Sequence, residues 1–173
     1  MARSDSDEAY VLDLCDAILQ QRGERQHRFD WLRGDLTKGN YRVRLPVDSY
    51  WPDFDLVVEY RELQHDEAVA HFDKPDRLTV SGVHRGIQRR IYDERRELLI
   101  PEHGLALVII RPAQLASHAR GRLLRHREAD AAALGALLGR FRAALAPNRA
   151  VAIATIGNWW PKVPIEVRRW IVN

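Results

Sequence analysis

Two carboxylates, Asp48 and Glu59, stand near the ends of two predicted strands that a short Trp-Pro-Asp turn joins. A hairpin of this kind would bring both side chains to one edge of a sheet. Two hard oxygen ligands, completed by a backbone carbonyl and waters, suit Mg²⁺ or Mn²⁺. Such an ion can activate a water molecule and neutralise the charge that builds on a scissile phosphate. On spacing alone, the alternative is a solvated hairpin whose acids only keep it soluble.

The strands of this hairpin are predicted at Tyr41–Tyr50 and Phe54–Arg61, because both segments are rich in β-branched and aromatic residues. Alternate residues of a strand face opposite sides of the sheet. In the second strand, one side carries Phe54, Leu56, Val58 and Tyr60, and the other carries Asp55, Val57, Glu59 and Arg61.

Helical periodicity predicts three helices around this hairpin, at residues 7–21, 83–100 and 128–145. Each of the three helices carries an apolar face. The apolar stripe of the second helix consists of Ile87, Ile91 and Leu98, and that of the third consists of Leu134, Leu137, Leu138, Phe141 and Leu145. Residues 27–36 are predicted to form a short packed turn or helix, and residues 62–82 a loop.

A further strand is predicted at Leu105–Ile110, where an unbroken apolar run is typical of a central strand buried on both faces. Residues 151–155 are a candidate for another. We find no internal repeat and no linker in the chain. The expectation is therefore a single domain over residues 1–173 of the α/β (α+β) class, with a central mixed β-sheet flanked by helices.

The stretch from Arg44 to Pro112 resembles the core of the PD-(D/E)xK, or restriction-endonuclease-like, nuclease superfamily. Within it, the chain is most similar to the small nucleases related to very short patch repair endonucleases. Members often show a strand of the form Val-Asp-x-Tyr, a Pro turn, an apolar strand ending in Glu, and then Gln-His. The matching residues here are Val47–Tyr50, Pro52, Leu56–Glu59 and the pair Gln64-His65.

This resemblance implies a restriction-endonuclease-like fold and a metal-dependent endonuclease that hydrolyses DNA phosphodiester bonds, in restriction, repair or phage defence. It implies that Asp48 and Glu59 hold Mg²⁺ (or Mn²⁺). The superfamily has a lysine two positions after the glutamate, where it helps orient the attacking water and stabilise charge. Arg61 stands there instead, and an arginine cannot act as a base because it stays protonated.

Three interpretations of that departure stay open. Arg61 supplies electrostatic stabilisation only, or Gln64 or His65 takes the role of the lysine, or the site is catalytically inactive. His65 is attractive because an imidazole can transfer protons near neutral pH. Its alternative is an ordinary surface histidine after a strand. The expected catalytic set is therefore Asp48, Glu59, Arg61, Gln64 and His65.

The second predicted helix carries Gln88 and Tyr92, which fit the Gln-x-x-x-Tyr pattern seen after the acidic strands in RecB-type nucleases. There the two side chains face the active site and its DNA. Arg85, Arg89 and Arg96 lie on the adjoining face, and Arg85 and Arg89 are the expected phosphate contacts, which would make binding strongly salt-dependent. The alternative is a solvated face with pairs at helical spacing, such as Arg89 with Asp93.

Composition limits the other function classes. The net charge is +3, and 24 of the 27 basic residues are arginines, which suit phosphate contacts but also follow from a GC-rich genome. Cys15 is the one cysteine, which excludes an internal disulfide framework and a thiolate zinc cluster within one chain. The acidic start carries no secretory signal, and no apolar run approaches the ~20 residues of a membrane span. A cytoplasmic protein with no membrane contact is expected.

Two rival functions remain. One is a catalytically inactive nucleic-acid-binding or regulatory module of the same fold, for which Arg61 is the best support. The other is an interaction protein that uses the third helix and the Trp-rich tail at residues 158–173 as a dimer surface. Cutting both DNA strands would also favour a homodimer.

Overall fold

The structure, a computed structural model, describes residues 6–62, 79–80 and 82–144. Three helices and six strands lie in these ranges. In chain order they are α1 (Asp7–Leu19), β1 (Glu24–Arg25), β2 (Arg33–Leu36), β3 (Arg42–Arg44), β4 (Ser49–Trp51), β5 (Leu56–Tyr60), α2 (Arg85–Glu102), β6 (Ala106–Ile110) and α3 (Arg127–Ala144). The strand predicted at 151–155, the Trp-rich tail and Leu145 fall outside the described residues.

Four of the strands form a mixed sheet in the order β1-β4-β5-β6. β4 pairs antiparallel with β5, and β5 pairs parallel with β6. A parallel pair needs a crossover connection, and α2 lies in that connection. The predicted α/β (α+β) class, with a central mixed sheet flanked by helices, is confirmed.

β5 separates two apolar clusters because its side chains alternate between the two faces of the sheet. Leu56, Val58 and Tyr60 join the cluster formed with α1 and α3. Val57 joins the second cluster, which includes Ile100 of α2. All five residues of β5, Glu59 among them, are buried. The predicted alternation of this strand is confirmed.

The ends of α1 follow ordinary capping chemistry. The Ser6 side chain accepts a hydrogen bond from the Ala9 amide at 3.1 Å, which satisfies one of the free donors of the first turn. Gln20 takes a left-handed conformation and ends the helix, slightly before the predicted boundary. The buried face of α1 consists of Val11, Leu12, Leu14, Cys15 and Leu19.

The predictions for residues 27–50 are wrong in two places. Residues 27–36 contain the strand β2 rather than a packed turn or helix. Tyr41–Tyr50 is not one strand, because β3 ends at Arg44 and pairs with β2 in a separate two-stranded sheet. Pro46, which has no amide hydrogen to donate, lies in the break before β4.

Two further predictions need correction. Within the described residues β6 is at an edge of the four-stranded sheet, and β5 rather than β6 is enclosed on both faces. In α2 the predicted apolar residue Ile87 is exposed, and Ile100 is the buried residue that anchors the helix. An apolar run identifies a buried segment but does not tell an edge strand from a central one.

Candidate functional site

Asp48 and Glu59 lie side by side across the β4–β5 pair, where Ser49 pairs with Val58. The Asp48 amide donates to Glu59 Oε1 at 3.1 Å. The Tyr60 amide donates to Asp48 Oδ2 at 2.8 Å. Each carboxylate is therefore fixed by a backbone amide of the neighbouring chain segment, and the two are held together by the sheet itself.

Glu59 is only 5% exposed. Burial raises its pKa well above the ordinary value, and the neighbouring Asp48 charge raises it further. Arg96, the Asp48 amide and Arg61 lower the pKa, but by less in total. A buried carboxyl group, Glu59, and a partly buried one, Asp48, repel each other here and form a site that a cation would stabilise.

These side chains line an open pocket of about 320 Å³. Its acidic residues are Glu8, Asp48, Glu59, Glu62 and Asp93, and its basic residues are Arg61, Arg89 and Arg96. Burial and then the charges of Asp48 and Glu62 also raise the pKa of Glu8. With all groups ionised, the pocket has more negative than positive charge, which favours a cation over a bare phosphate.

Arg61, the residue directly after β5, also lines this pocket. Its Nη1 donates to Glu97 Oε1 on α2. Its Nε and Nη2 are buried and have no hydrogen-bond partner among the described residues. Leaving a buried donor unpaired costs about 1–3 kcal/mol, so the described residues alone do not satisfy the Arg61 guanidinium.

Arg96 is a site residue that the sequence did not identify as one. Its Nε lies 3.7 Å from Glu59 Oε2. Its guanidinium also donates to the Pro46 carbonyl at 3.0 and 3.2 Å and to Asp93 at 3.0 Å. These contacts hold Arg96 in the pocket, whereas Arg85, on the same helix, is exposed. The Asp93–Arg96 spacing of three was readable in the sequence, whereas the contact with Pro46 depends on the fold.

The helix residues divide into two groups. Tyr92 and Arg89 line the pocket, whereas Gln88 and Arg85 do not. The Tyr92 hydroxyl accepts from the Asp35 amide at 3.1 Å and from the Gln88 side chain at 3.2 Å. Gln88 therefore supports Tyr92 rather than lining the pocket, and Arg85 is exposed on the first turn of α2.

The donor set can be compared with what a divalent cation needs. Gln64 and His65 lie outside the described residues, so their places relative to the pocket are not assigned. Across residues 6–62, 79–80 and 82–144, no three His, Cys, Asp or Glu side chains are grouped to hold a metal ion. Asp48 and Glu59 could supply two hard oxygen ligands, and Mg²⁺ commonly takes one or two carboxylates and keeps several waters. The pair fits that ion.

Comparisons with known proteins add no family assignment. No protein-family model matches the chain, and neither curated proteins nor solved structures gave a significant match. Among the helices that the structure describes, none is long and apolar enough to cross a membrane.

Proposed function

We propose that this protein is a Mg²⁺- or Mn²⁺-dependent endonuclease that hydrolyses DNA phosphodiester bonds. The observation that carries the proposal is the pairing of Asp48 with the buried Glu59, both fixed by backbone amides in a pocket that also contains arginines. The resemblance to PD-(D/E)xK nucleases supports DNA as the substrate and restriction, repair or phage defence as the setting. A cytoplasmic location and a homodimer that cuts both strands belong to the same proposal.

The excess of acidic groups in the pocket bears directly on this proposal. A phosphodiester is an anion, so the pocket would repel it without a counter-charge. A divalent ion held by Asp48 and Glu59 would supply that charge and would activate a water for attack on phosphorus. The charges that line the pocket therefore support a role for a metal ion.

The arginines have separate tasks in this proposal. Arg61 lines the pocket, and its guanidinium charge can stabilise the charge that develops on a phosphate there. Arg61 does not act as a base, since it stays protonated. Arg96 keeps the Glu59 carboxylate oriented, and exposed Arg89 at the edge of the pocket can contact a flanking phosphate.

The alternative is a catalytically inactive nucleic-acid-binding or regulatory module of the same fold. One contact favours it: Arg61, in the place of the superfamily's lysine, is paired with Glu97 on α2. An arginine tied to a neighbouring helix and a second arginine beside Glu59 would together suit a site that keeps its architecture without catalysis.

The deciding experiment measures cleavage of plasmid, linear and single-stranded DNA with Mg²⁺ or Mn²⁺. Asp48→Asn and Glu59→Gln remove the carboxylate charge with little change in shape. Asp55→Asn makes the same chemical change at an exposed residue of the same hairpin and serves as the control. We expect cutting by the wild type and the control and none by the other two. Absence of cutting on every substrate, with DNA binding retained, would favour the inactive module.

A further inference from the structure

A second surface next to the pocket is formed by the hairpin of residues 33–44, which consists of β2, β3 and the turn between them. It pairs only within itself among the described strands and is separate from the four-stranded sheet. Its tip is ordered by Thr37, whose amide and hydroxyl each donate to the Tyr41 carbonyl at 2.9 Å. Asn40 takes the left-handed conformation that such a turn requires.

This hairpin exposes large apolar side chains that a solvated ribbon has no structural need for. Tyr41 is 61% exposed, Leu36 is 50% exposed and Val43 is 48% exposed. They make up half of the exposed large hydrophobic side chains of the described residues. Exposed apolar groups concentrated on one small element are typical of an interaction site.

The charge of the hairpin specifies what such a site would bind. Its basic residues are Arg33, Lys38, Arg42 and Arg44, and all are exposed. Its one acidic residue, Asp35, pairs with Arg95 of α2 at 2.6 Å. Twelve residues thus carry a positive surplus beside a pocket that is acidic. Arg44 pairs with Asp30 at an exposed position, where an ion pair contributes little and can be exchanged for a phosphate contact.

The hairpin is attached to the edge of the pocket by specific contacts. The Asp35 amide donates to the hydroxyl of Tyr92, which lines the pocket. Arg95 donates to the Arg33 carbonyl at 2.8 Å. Gly34 packs so closely on Tyr92 that an added Cβ would lie 3.0 Å from its hydroxyl. The hairpin is therefore held against α2 at the side of the candidate site.

The chain path sets how far apart the two surfaces can lie. β3 ends at Arg44, and Asp48 follows four residues later. Four residues span at most about 14 Å, close to the ~12 Å width of the DNA major groove. A duplex with one phosphate in the pocket would therefore be within reach of the β3 end of the hairpin.

We infer that the hairpin of residues 33–44 binds duplex DNA, as a two-stranded ribbon in the groove beside the cleaved phosphate. A major groove admits such a ribbon. The basic side chains contact phosphates, and Tyr41 and Val43 contact sugars and base edges. This inference rests on the proposed function for its ligand, because an acidic pocket needs a separate basic surface to hold DNA.

The test compares binding of a ~20-base-pair duplex by the full-length wild type and by a Lys38→Glu/Tyr41→Ser double variant. Binding is measured by fluorescence anisotropy over a range of salt concentrations. EDTA is present throughout, so that no metal-dependent cleavage occurs. We expect the double variant to bind on the order of tenfold more weakly, with a salt slope reduced by about one. Arg120→Glu reverses the charge of an exposed residue away from the hairpin and should bind within about twofold of the wild type. Circular dichroism and thermal unfolding report whether each variant folds.

A milder variant, Lys38→Gln, keeps the test decisive if the double variant does not fold. It should still lower the salt slope by about one. Equal duplex binding by the wild type and the hairpin variants would overturn the inference, and so would a wild type that binds no duplex at low salt. The inference would also be overturned if the hairpin variants lost binding to anionic lipid vesicles but kept duplex binding. That result would favour a membrane-surface role for the hairpin.

The proposed function is tested separately, by cleavage of plasmid DNA with Mn²⁺. Hairpin-dependent binding without cutting would support the inference and contradict the nuclease. Cutting that is equal in wild type and hairpin variants, with equal binding, would support the nuclease and contradict the inference.

Discussion

Arg96 and Glu59 face each other inside the pocket, with the guanidinium Nε 3.7 Å from the carboxylate Oε2. The arginine is not free to turn away, because the Pro46 carbonyl and Asp93 hold the same guanidinium. Its charge has the largest effect among the groups that lower the pKa of Glu59 against the effects of burial and Asp48. Part of the charge of the buried carboxylate is thus balanced by the protein itself.

Replacing Arg96 is therefore expected to destabilise the fold. Arg96→Ala leaves the Pro46 carbonyl and Asp93 without their donors, which should lower the free energy of unfolding by about 2 kcal/mol at neutral pH. Arg90→Ala, at an exposed position on the same helix, should change it by less than about 0.5 kcal/mol. Urea unfolding followed by circular dichroism measures both. Equal stability of the two variants would show that the contacts of Arg96 contribute nothing to the stability of the fold.

The raised pKa of Glu59 predicts how the stability of the metal-free protein depends on pH. A carboxyl group whose pKa is higher in the folded state favours folding while it is protonated in both states, and that contribution is lost as pH rises through the folded pKa. In EDTA the wild type should therefore lose stability from the ordinary carboxyl range up through the raised pKa.

Glu59→Gln removes this titration and should flatten the profile, so that its advantage over the wild type grows with pH. Thermal unfolding in EDTA from pH 5 to pH 9 tests this, with Asp55→Asn as the control. Parallel wild-type and Glu59→Gln profiles would contradict the raised pKa.

The sequence predicted this carboxylate pair because the pairing depends on local signals. A turn and two β-rich segments are enough to predict that Asp48 and Glu59 lie close together. Period-two alternation is enough to place Glu59 on the face opposite Leu56 and Val58. The helix α2 was equally predictable from its 3.6-residue period.

The partners of these carboxylates could not be predicted in the same way. Arg96 meets Glu59 only because α2 packs beside the chain at Pro46, fifty residues away. The pairing of Arg61 with Glu97 likewise depends on how α2 lies against β5. The hairpin of residues 33–44 was missed for another reason. Its second strand continues into β-forming residues, and only the break at Pro46 separates it from β4.

Metal binding should be measurable without catalysis. Mn²⁺ at a hundredfold excess over its Kd should raise the Tm of the wild type by roughly 5–10 °C, since a ligand that binds only the folded state stabilises it. Asp48→Asn should abolish most of this rise, because one of the two carboxylates no longer carries charge. Asp55→Asn should retain it. A rise in Tm of the same size in all three proteins would place the bound ion elsewhere.

Arg61 provides the sharpest test of how the site works. If its role is to stabilise charge on a phosphate, Arg61→Lys keeps the charge and should retain DNA cleavage within about tenfold, whereas Arg61→Gln should lose on the order of a hundredfold. Glu97→Gln removes the ion pair but keeps the guanidinium, so its activity should stay near that of the wild type.

The shape of the pH–rate profile separates the two roles available to the lysine variant. A profile unchanged from the wild type indicates a charge that only stabilises, whereas a new ionisation with higher activity indicates a side chain that has become a base. Full activity in Arg61→Gln would contradict both. Because two of its buried donors have no partner among the described residues, the change to glutamine should cost little stability, so a loss of cleavage would report on the site rather than on folding.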